Sequence, residues 1–212
     1  MSILDLFFPQ KCAFCRTLCK EGLCESCEKS LPRTEKAQRD FSFARVAAPL
    51  YYTGAVREAV LRLKFSGGIG TVKGFAALMA RCAAEEFGGE FDLVSFVPVS
   101  DKRRRERGWD QAERLATEMA KQWEAKAVRL LKKTRHTAAQ SSLNDGAQRE
   151  ANVFGVYEAV NAEQIRGARI LLVDDVVTTG ATMKECVRVL RDAGASEVLG
   201  IALAAPLEKD KK

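Results

Sequence analysis

The stretch ILLVDDVVTTGAT, residues 170–182, sets two neighbouring carboxylates just ahead of two neighbouring hydroxyls. Asp174 and Asp175 suit the acceptance of hydrogen bonds from two adjacent hydroxyls of a sugar. Val177, Thr178, Thr179, Gly180, Ala181 and Thr182 form a turn of small residues. Backbone N–H groups in such a turn, at the start of a helix, bind an anion. No lysine follows in the G-x-x-x-x-G-K-[ST] arrangement, so this is not the usual nucleoside-triphosphate cradle. The ligand these residue types suit is a ribose bearing a 5'-phosphate. The competing reading is an ordinary strand-to-helix turn, with the acids serving only as charges near a helix end. Paired acids facing the end of an apolar strand do nothing for folding, which weighs against it.

A second cluster is made of cysteines. Four of the seven form two C-x-x-C pairs, Cys12 with Cys15 and Cys24 with Cys27. Each pair is a chelating turn, and four thiolates at tetrahedral geometry make a closed structural zinc site. A disulfide or redox reading fits less well, because two matched pairs exceed what redox chemistry needs. Cys19 is left over. Lys11, Arg16 and Lys20 are balanced by Glu21, Glu25 and Glu28, so composition gives the module no basic face. Capping or protein docking is its expected role.

The third group is the basic run Lys102, Arg103, Arg104, Arg105 and Arg107 within SDKRRRERGWDQA. It reads as an anion-binding loop, or else as solvated surface or a nucleic-acid contact.

These groups need elements to hold them. Ile170 to Val173 is an unbroken apolar run, as for a strand buried on both faces of a parallel sheet. Met183, Cys186, Val187 and Leu190 follow at helical spacing, and Gly194 is placed to end that helix. FDLVSFVPV, residues 91–99, is a second buried strand that runs straight into the basic loop, and Asp110 with Glu113 starts a helix carrying Leu115 and Met119. Both loops therefore belong to the sheet's carboxyl edge, where α/β domains bind ligands. Earlier in the chain, residues 45–52 read as extended, and Val56, Val60 and Leu63 mark a helix ending at LKFSGG. There, Lys64 with Gly67, Gly68 and Gly70 either offers a cation and free N–H groups or simply ends the helix. Val72, Phe75, Met79 and Cys82 mark a further helix face. Val128 to Leu131 is a short strand. Residues 132–152 form a long polar loop of the kind found in active-site lids, and His136 within it is left out of the site. The expected architecture is α/β, a parallel sheet flanked by helices, with a cysteine-rich module at 1–30, a linker at 31–44 and the main domain at 45–212.

With 212 residues, 47% of them hydrophobic, the chain can bury one good α/β core and a small appendage. Its formal charge of +6 favours anionic ligands without naming one. The opening MSILDLFFPQK is too short and wrongly flanked for a secretory signal, and no segment is long and apolar enough to cross a bilayer. No membrane insertion and a cytoplasmic location are expected, with the cysteines as thiols or metal ligands.

VDDVVTTGAT resembles the phosphoribosyl-pyrophosphate (PRPP) signature of type I phosphoribosyltransferases, in which the acid pair holds the ribose hydroxyls and TTGAT wraps the 5'-phosphate. The order of segments is similar, over essentially the whole chain, to the ComF/GntX family of competence-associated, phosphoribosyltransferase-like proteins. That order is the double C-x-x-C, YYTGAVREAVLRLKF, VPV with RRRERGWDQAERLA, then Gln140, Arg149 and Asn152, then the turn. The resemblance implies PRPP binding with magnesium, structural zinc, pyrophosphate held by Lys102, Arg103 and Arg107, and the long polar loop closing over the site. It implies either phosphoribosyl transfer to an acceptor or a non-catalytic part in DNA uptake, binding single-stranded DNA or a competence-machinery protein. Ser100, Trp109 and Asp110 stand where the pattern has Pro, Phe and Asn. Glutamine-dependent amidophosphoribosyltransferase activity is not expected, because those enzymes carry a nucleophilic Cys after the initiator Met, where this chain has Ser2.

Overall fold

The computed structural model describes residues 10–66, 69–135 and 153–207. The opening residues, Gly67, Gly68, His136, Gln140, Arg149, Asn152 and the tail from 208 lie outside them. In chain order the first elements are α1 (Glu25–Ser30), β1 (Gln38–Phe41), β2 (Ala44–Ala47), β3 (Leu50–Tyr51), α2 (Gly54–Ser66) and α3 (Ile69–Phe87). Next come β4 (Leu93–Phe96), α4 (Asp101–Arg107), α5 (Gln111–Ala120), β5 (Leu131–Lys133) and β6 (Tyr157–Ala159). The chain continues through α6 (Ala162–Ile165), β7 (Arg169–Val176), α7 (Ala181–Asp192) and β8 (Glu197–Ala205).

β7 lies inside the main sheet, between the edge strand β4 and β8. Its side chains alternate between two buried faces: Leu171 and Val173 join one apolar cluster, Ile170 and Leu172 the other. This period of two, with apolar residues on both sides, is what a strand covered by helices on both faces requires. β4 lies parallel on one side, with Phe96 opposite Val173, and β8 lies parallel on the other, with Ile201 opposite Val173. β2 and β3 run parallel to β8 at its far edge, and β1 pairs antiparallel with β2. β5 and β6 form a separate antiparallel ribbon. Because β4 and β7 run parallel, the segments leaving them share the sheet's carboxyl edge.

Three stretches differ from the reading above. The basic run is not a loop: residues 101–107 are the helix α4, N-capped by Ser100, whose hydroxyl accepts from the Arg103 N–H at 3.4 Å. Asp101 in its first turn, arginines in its last and Gly108 at φ +78° complete the signals for a short helix. Within the expected linker, residues 38–41 are β1, and this hairpin adds a strand to the sheet. Near 128, the Val128 N–H donates to the Val94 carbonyl at 2.8 Å, so the chain skirts β4 before entering the ribbon at Leu131.

The cysteine module packs onto α3 rather than standing apart. Cys12, Ala13 and Phe14 are buried in the same cluster as Phe75, and the Phe14 and Phe75 rings meet edge to face at 5.3 Å. Two glycines set the approach. A Cβ on Gly74 of α3 would lie 2.1 Å from the Gly22 carbonyl oxygen, and that oxygen already accepts the Ala13 N–H at 2.8 Å. Gly22 itself has φ +76°, the left-handed region that glycine tolerates. Gly74→Ala is expected to destabilise the protein by ~1–3 kcal/mol through overpacking against backbone that cannot move aside. Thermal unfolding measures it, and a substitution without effect would mean that the two segments do not meet this closely.

Candidate functional site

At the carboxyl ends of β7 and β4 the fold leaves a cavity of about 290 Å³. Asp174 and Asp175 reach it from the end of β7. Asp174 Oδ1 accepts the Asp175 N–H at 2.8 Å, and Asp175 Oδ1 accepts the Val176 N–H at 3.0 Å, so local backbone donors orient both carboxylates. Lys64, in the last turn of α2, brings its Nζ to 2.7 Å from Asp175 Oδ2. The two side chains are only 24% and 7% exposed, which makes this a sheltered ion pair. Burial works to lower the Lys64 pKa, but the Asp175 and Asp174 charges outweigh it and hold the ammonium above its ordinary value. Burial, with Asp175 alongside, pushes the Asp174 carboxyl well up.

The turn from Val177 to Gly180 joins β7 to α7 and lines the same cavity. Thr179 Oγ1 accepts the Ala181 N–H at 3.4 Å, and Gly180, at φ +78°, occupies the N-cap of α7. Only glycine fits there. A Cβ would come within 3.0 Å of the Phe41 ring and 3.1 Å of the Phe43 ring. Those rings stack 5.0 Å apart in the β1–β2 hairpin, so the extra strand supports the turn from behind. The first N–H groups of a helix have no partner within it and carry the positive end of its dipole, which makes such a turn an anion site.

Helical spacing sorts the basic run. Arg103 and Arg107, one turn apart, both line the cavity. Arg107 donates to Gln111 Oε1 at 3.2 Å and lies 5.2 Å over the Phe65 ring. Burial and the neighbouring Arg107 lower the Arg103 pKa. Lys102 does not line the cavity: it is 59% exposed and faces Glu106 at 3.9 Å. Arg104 is engaged with Glu113 at 3.0 Å, and Glu113 also meets Arg129 at 3.1 Å.

The three departures from the family pattern each have a place. Ser100 caps α4. Asp110 is buried, accepts the Val99 N–H at 2.8 Å through Oδ2, and caps α5 by accepting from Ala112 and Glu113 through Oδ1. Burial raises its pKa, against those hydrogen bonds. Trp109 donates from Nε1 to the Leu63 carbonyl at 3.3 Å, tying the α4–α5 turn to the end of α2 beside Lys64.

Two cavity residues escaped the sequence reading. Lys133 and Tyr157 come from facing positions of the β5–β6 ribbon, and both are buried. Leu131 and Lys133 share the buried side of β5, with Lys132 exposed between them.

Outside the cavity lining, the sulfurs of Cys12, Cys15, Cys24 and Cys27 all lie within 4.8 Å of one another. The closest recorded approach is 3.6 Å, between Cys15 and Cys24. Zinc–sulfur bonds of about 2.3 Å at tetrahedral angles set sulfurs roughly 3.8 Å apart, so this set can hold a metal ion. The first pair turns through Arg16 at φ +68°, with the Arg16 N–H on the Cys12 carbonyl at 3.0 Å. In the second pair Cys24 precedes α1, and Cys27 lies in its first turns. Cys19 is not in the cluster, and the described cysteines are all free thiols. No helix among the described residues is long and apolar enough to cross a membrane.

The chain is 24% identical to Competence protein F of Haemophilus influenzae over 220 residues, which is 91% of this chain and 95% of that protein. It is 28% identical to Competence protein ComFC of Streptococcus pneumoniae over 194 residues, 91% of this chain and 74% of that one. A shorter match, 54% over 44 residues, joins 21% of this chain to 10% of the amidophosphoribosyltransferase of Pyrococcus horikoshii. Among solved structures, the glutamine PRPP amidotransferase from B. subtilis is 24% identical, with a TM-score of 0.44 over 67% of this chain and 30% of that chain. The two competence proteins bear out the resemblance to competence-associated ComF proteins. The family model for the phosphoribosyl transferase domain matches residues 107–212, half of the chain and the half that carries β7, the acid pair and the small-residue turn, so the chain belongs to that family.

Proposed function

We propose that this protein binds PRPP and transfers its phosphoribosyl group to an acceptor, releasing pyrophosphate. The observation that carries the reading is that Asp174, Asp175, the turn at 178–182, Arg103 and Arg107 line one cavity. In this reading the acid pair accepts hydrogen bonds from the ribose hydroxyls, with Lys64 fixing the Asp175 carboxylate. The N–H groups of Thr178, Thr179, Gly180, Ala181 and Thr182, with Val177 behind them, hold the 5'-phosphate. Arg103 and Arg107 hold the diphosphate. As its bond to the ribose breaks, they stabilise the charge it carries away, while an oxocarbenium-like ribose is captured by the acceptor. Such a step needs positioned charges and no enzymic nucleophile. The acid pair on a cavity with room for ligand oxygens also suits magnesium, which would lie mainly on the ligand's own oxygens and water and neutralise the diphosphate.

Replacing both acids, Asp174→Asn with Asp175→Asn, is expected to weaken PRPP binding by more than about tenfold, since each removes charge-assisted acceptance of a sugar hydroxyl. Calorimetry on the folded variant reads this, and binding equal to wild type sinks the site.

The arginines give a sharper test. Arg103→Ala and Arg107→Ala should each lose about tenfold or more for PRPP, whereas Lys102→Ala, Arg104→Ala and Arg105→Ala change it less than about threefold. Lys102 was expected among the diphosphate contacts, and its exposure makes it the weakest of the three.

A part in DNA uptake is the second reading, favoured by the names of relatives in Haemophilus and Streptococcus. The same substitutions discriminate. Near-equal losses in single-stranded DNA binding that steepen as salt falls, with PRPP binding intact, favour it. Pyrophosphate release from PRPP, screened against nucleobases and amines, favours transfer.

We also propose zinc as the metal of the four cysteines, with the module acting as a docking element in a reducing, cytoplasmic setting where its thiolates stay free. Metal analysis is expected to find about one zinc per chain, lost in Cys24→Ser with Cys27→Ser. Metal-free protein from chelator-free purification argues against it.

A further inference from the structure

The last turn of α2 gives consecutive residues to different neighbours. Arg62 donates from Nη2 to the Phe14 carbonyl, inside the Cys12–Cys15 turn of the cysteine module. The Leu63 carbonyl accepts the Trp109 indole N–H at 3.3 Å. Lys64 meets Asp175 at 2.7 Å, and the Arg107 guanidinium lies 5.2 Å over the Phe65 ring. Lys64 and Phe65 both line the cavity. One helical turn thus touches the segment between two metal-ligating cysteines, the acid pair and a diphosphate arginine.

Apolar burial does not seat this turn through Phe65, whose ring side stays 66% exposed. The ion pair of Arg62 with Glu58, at 3.8 Å, lies within α2 itself and cannot place the helix against anything else. The Phe14 carbonyl can, provided that its own turn is closed. Packing of the Phe14 ring on Phe75 fixes the side chain, whereas the direction of the carbonyl depends on the backbone between Cys12 and Cys15. So short a segment folds around its metal, and without the ion that backbone is free to turn away.

Resting on the readings that the cleft takes PRPP and the four cysteines a metal ion, we propose that these two sites are coupled through the last turn of α2, with Arg62 as the residue that joins them. The metal-closed module seats the turn, and the seated turn aims Lys64 at Asp175 and Phe65 at Arg107. The element with two states is that turn, seated or frayed, and both ligands favour the seated one. Coupling of this kind is reciprocal, so PRPP must in turn tighten the metal. An arginine kept only for the fold predicts otherwise: its loss would lower the melting temperature and leave the PRPP affinity of the folded protein alone.

Calorimetry with PRPP and with inorganic pyrophosphate, both with magnesium, tests the coupling. The samples are the metal-loaded chain, the chain stripped of metal and freed of chelator, and loaded Arg62→Met, which keeps an apolar stem without donors. Stripping should weaken PRPP binding by about fivefold or more, with circular dichroism showing the sheet intact. Loaded Arg62→Met should bind PRPP about as weakly as stripped wild type, and stripping it should change affinity less than about twofold. In competition with a chromogenic zinc chelator, saturating PRPP should raise the metal affinity of wild type by the same factor, and that of Arg62→Met by less than about twofold.

Equal PRPP affinity in loaded and stripped wild type overturns the proposal, as does a metal affinity that PRPP leaves unmoved. Loaded Arg62→Met that binds PRPP like wild type overturns it as well. So does loss of the sheet on stripping, because the metal then supports the whole fold and not one turn. Should Arg62→Met fail to fold, Arg62→Gln is judged by the same outcomes. Wild type that binds pyrophosphate but not PRPP refutes the proposed function alone, and the coupling is then read on pyrophosphate. Wild type that binds neither, or that holds no metal, refutes the coupling together with the reading it rests on.

Discussion

A strand buried on both faces can expose polar groups only at its ends, and β7 is such a strand. Ile170, Leu171, Leu172 and Val173 are all fully buried, with parallel neighbours on either side. The two acids that follow must therefore emerge at the sheet's carboxyl edge, beside whatever leaves β4. This constraint brings the turn of α7 and the arginines of α4 to one cavity, although they are far apart in the chain. Once β4 and β7 are parallel and adjacent, the meeting needs no further device.

The electrostatics of the cavity follow from an imbalance. Lys64, Arg103, Arg107 and Lys133 line it against Asp174 and Asp175. One lysine is spent on Asp175, and the acids themselves are too close to share charge freely, which is why burial and Asp175 raise the Asp174 pKa. What remains is positive potential in a sheltered place, where charge counts for more than at the surface. A ligand with hydroxyls for the acids and phosphates for the cations satisfies both halves.

The sequence showed the parts of this arrangement that are local and hid those that depend on pairing. The apolar run of β7, the turn behind it and the helical period of α7 are read directly from residues 170–190. The cap at Asp110 was equally plain, because its signal lies within one turn. Arg103 and Arg107 were named, but Lys102 was named with them. Separating these needs the knowledge that residues 101–107 form a helix, and the charge density of the run hid its Ser100 and Gly108 caps. Lys64 stood open between two readings until a strand more than a hundred residues later supplied Asp175. Lys133 was hidden for another reason. A strand as short as Leu131–Lys133 shows too little alternation to betray a buried charge.

The cysteine module is joined to the cavity by shared helices. Phe14 packs on Phe75 of α3, the Gly22 carbonyl meets Gly74 of the same helix, and Arg62 of α2 donates to the Phe14 carbonyl. Arg62 lies two residues before Lys64, and the Leu63 carbonyl between them accepts the Trp109 indole N–H. The end of α2 is thus gripped from one side by the module and from the other by the turn that follows α4. A carboxylate as sheltered as Asp175 keeps its partner only if the lysine's helix cannot slide. The zinc proposed for the four cysteines would add rigidity that so short a segment could not draw from its own core.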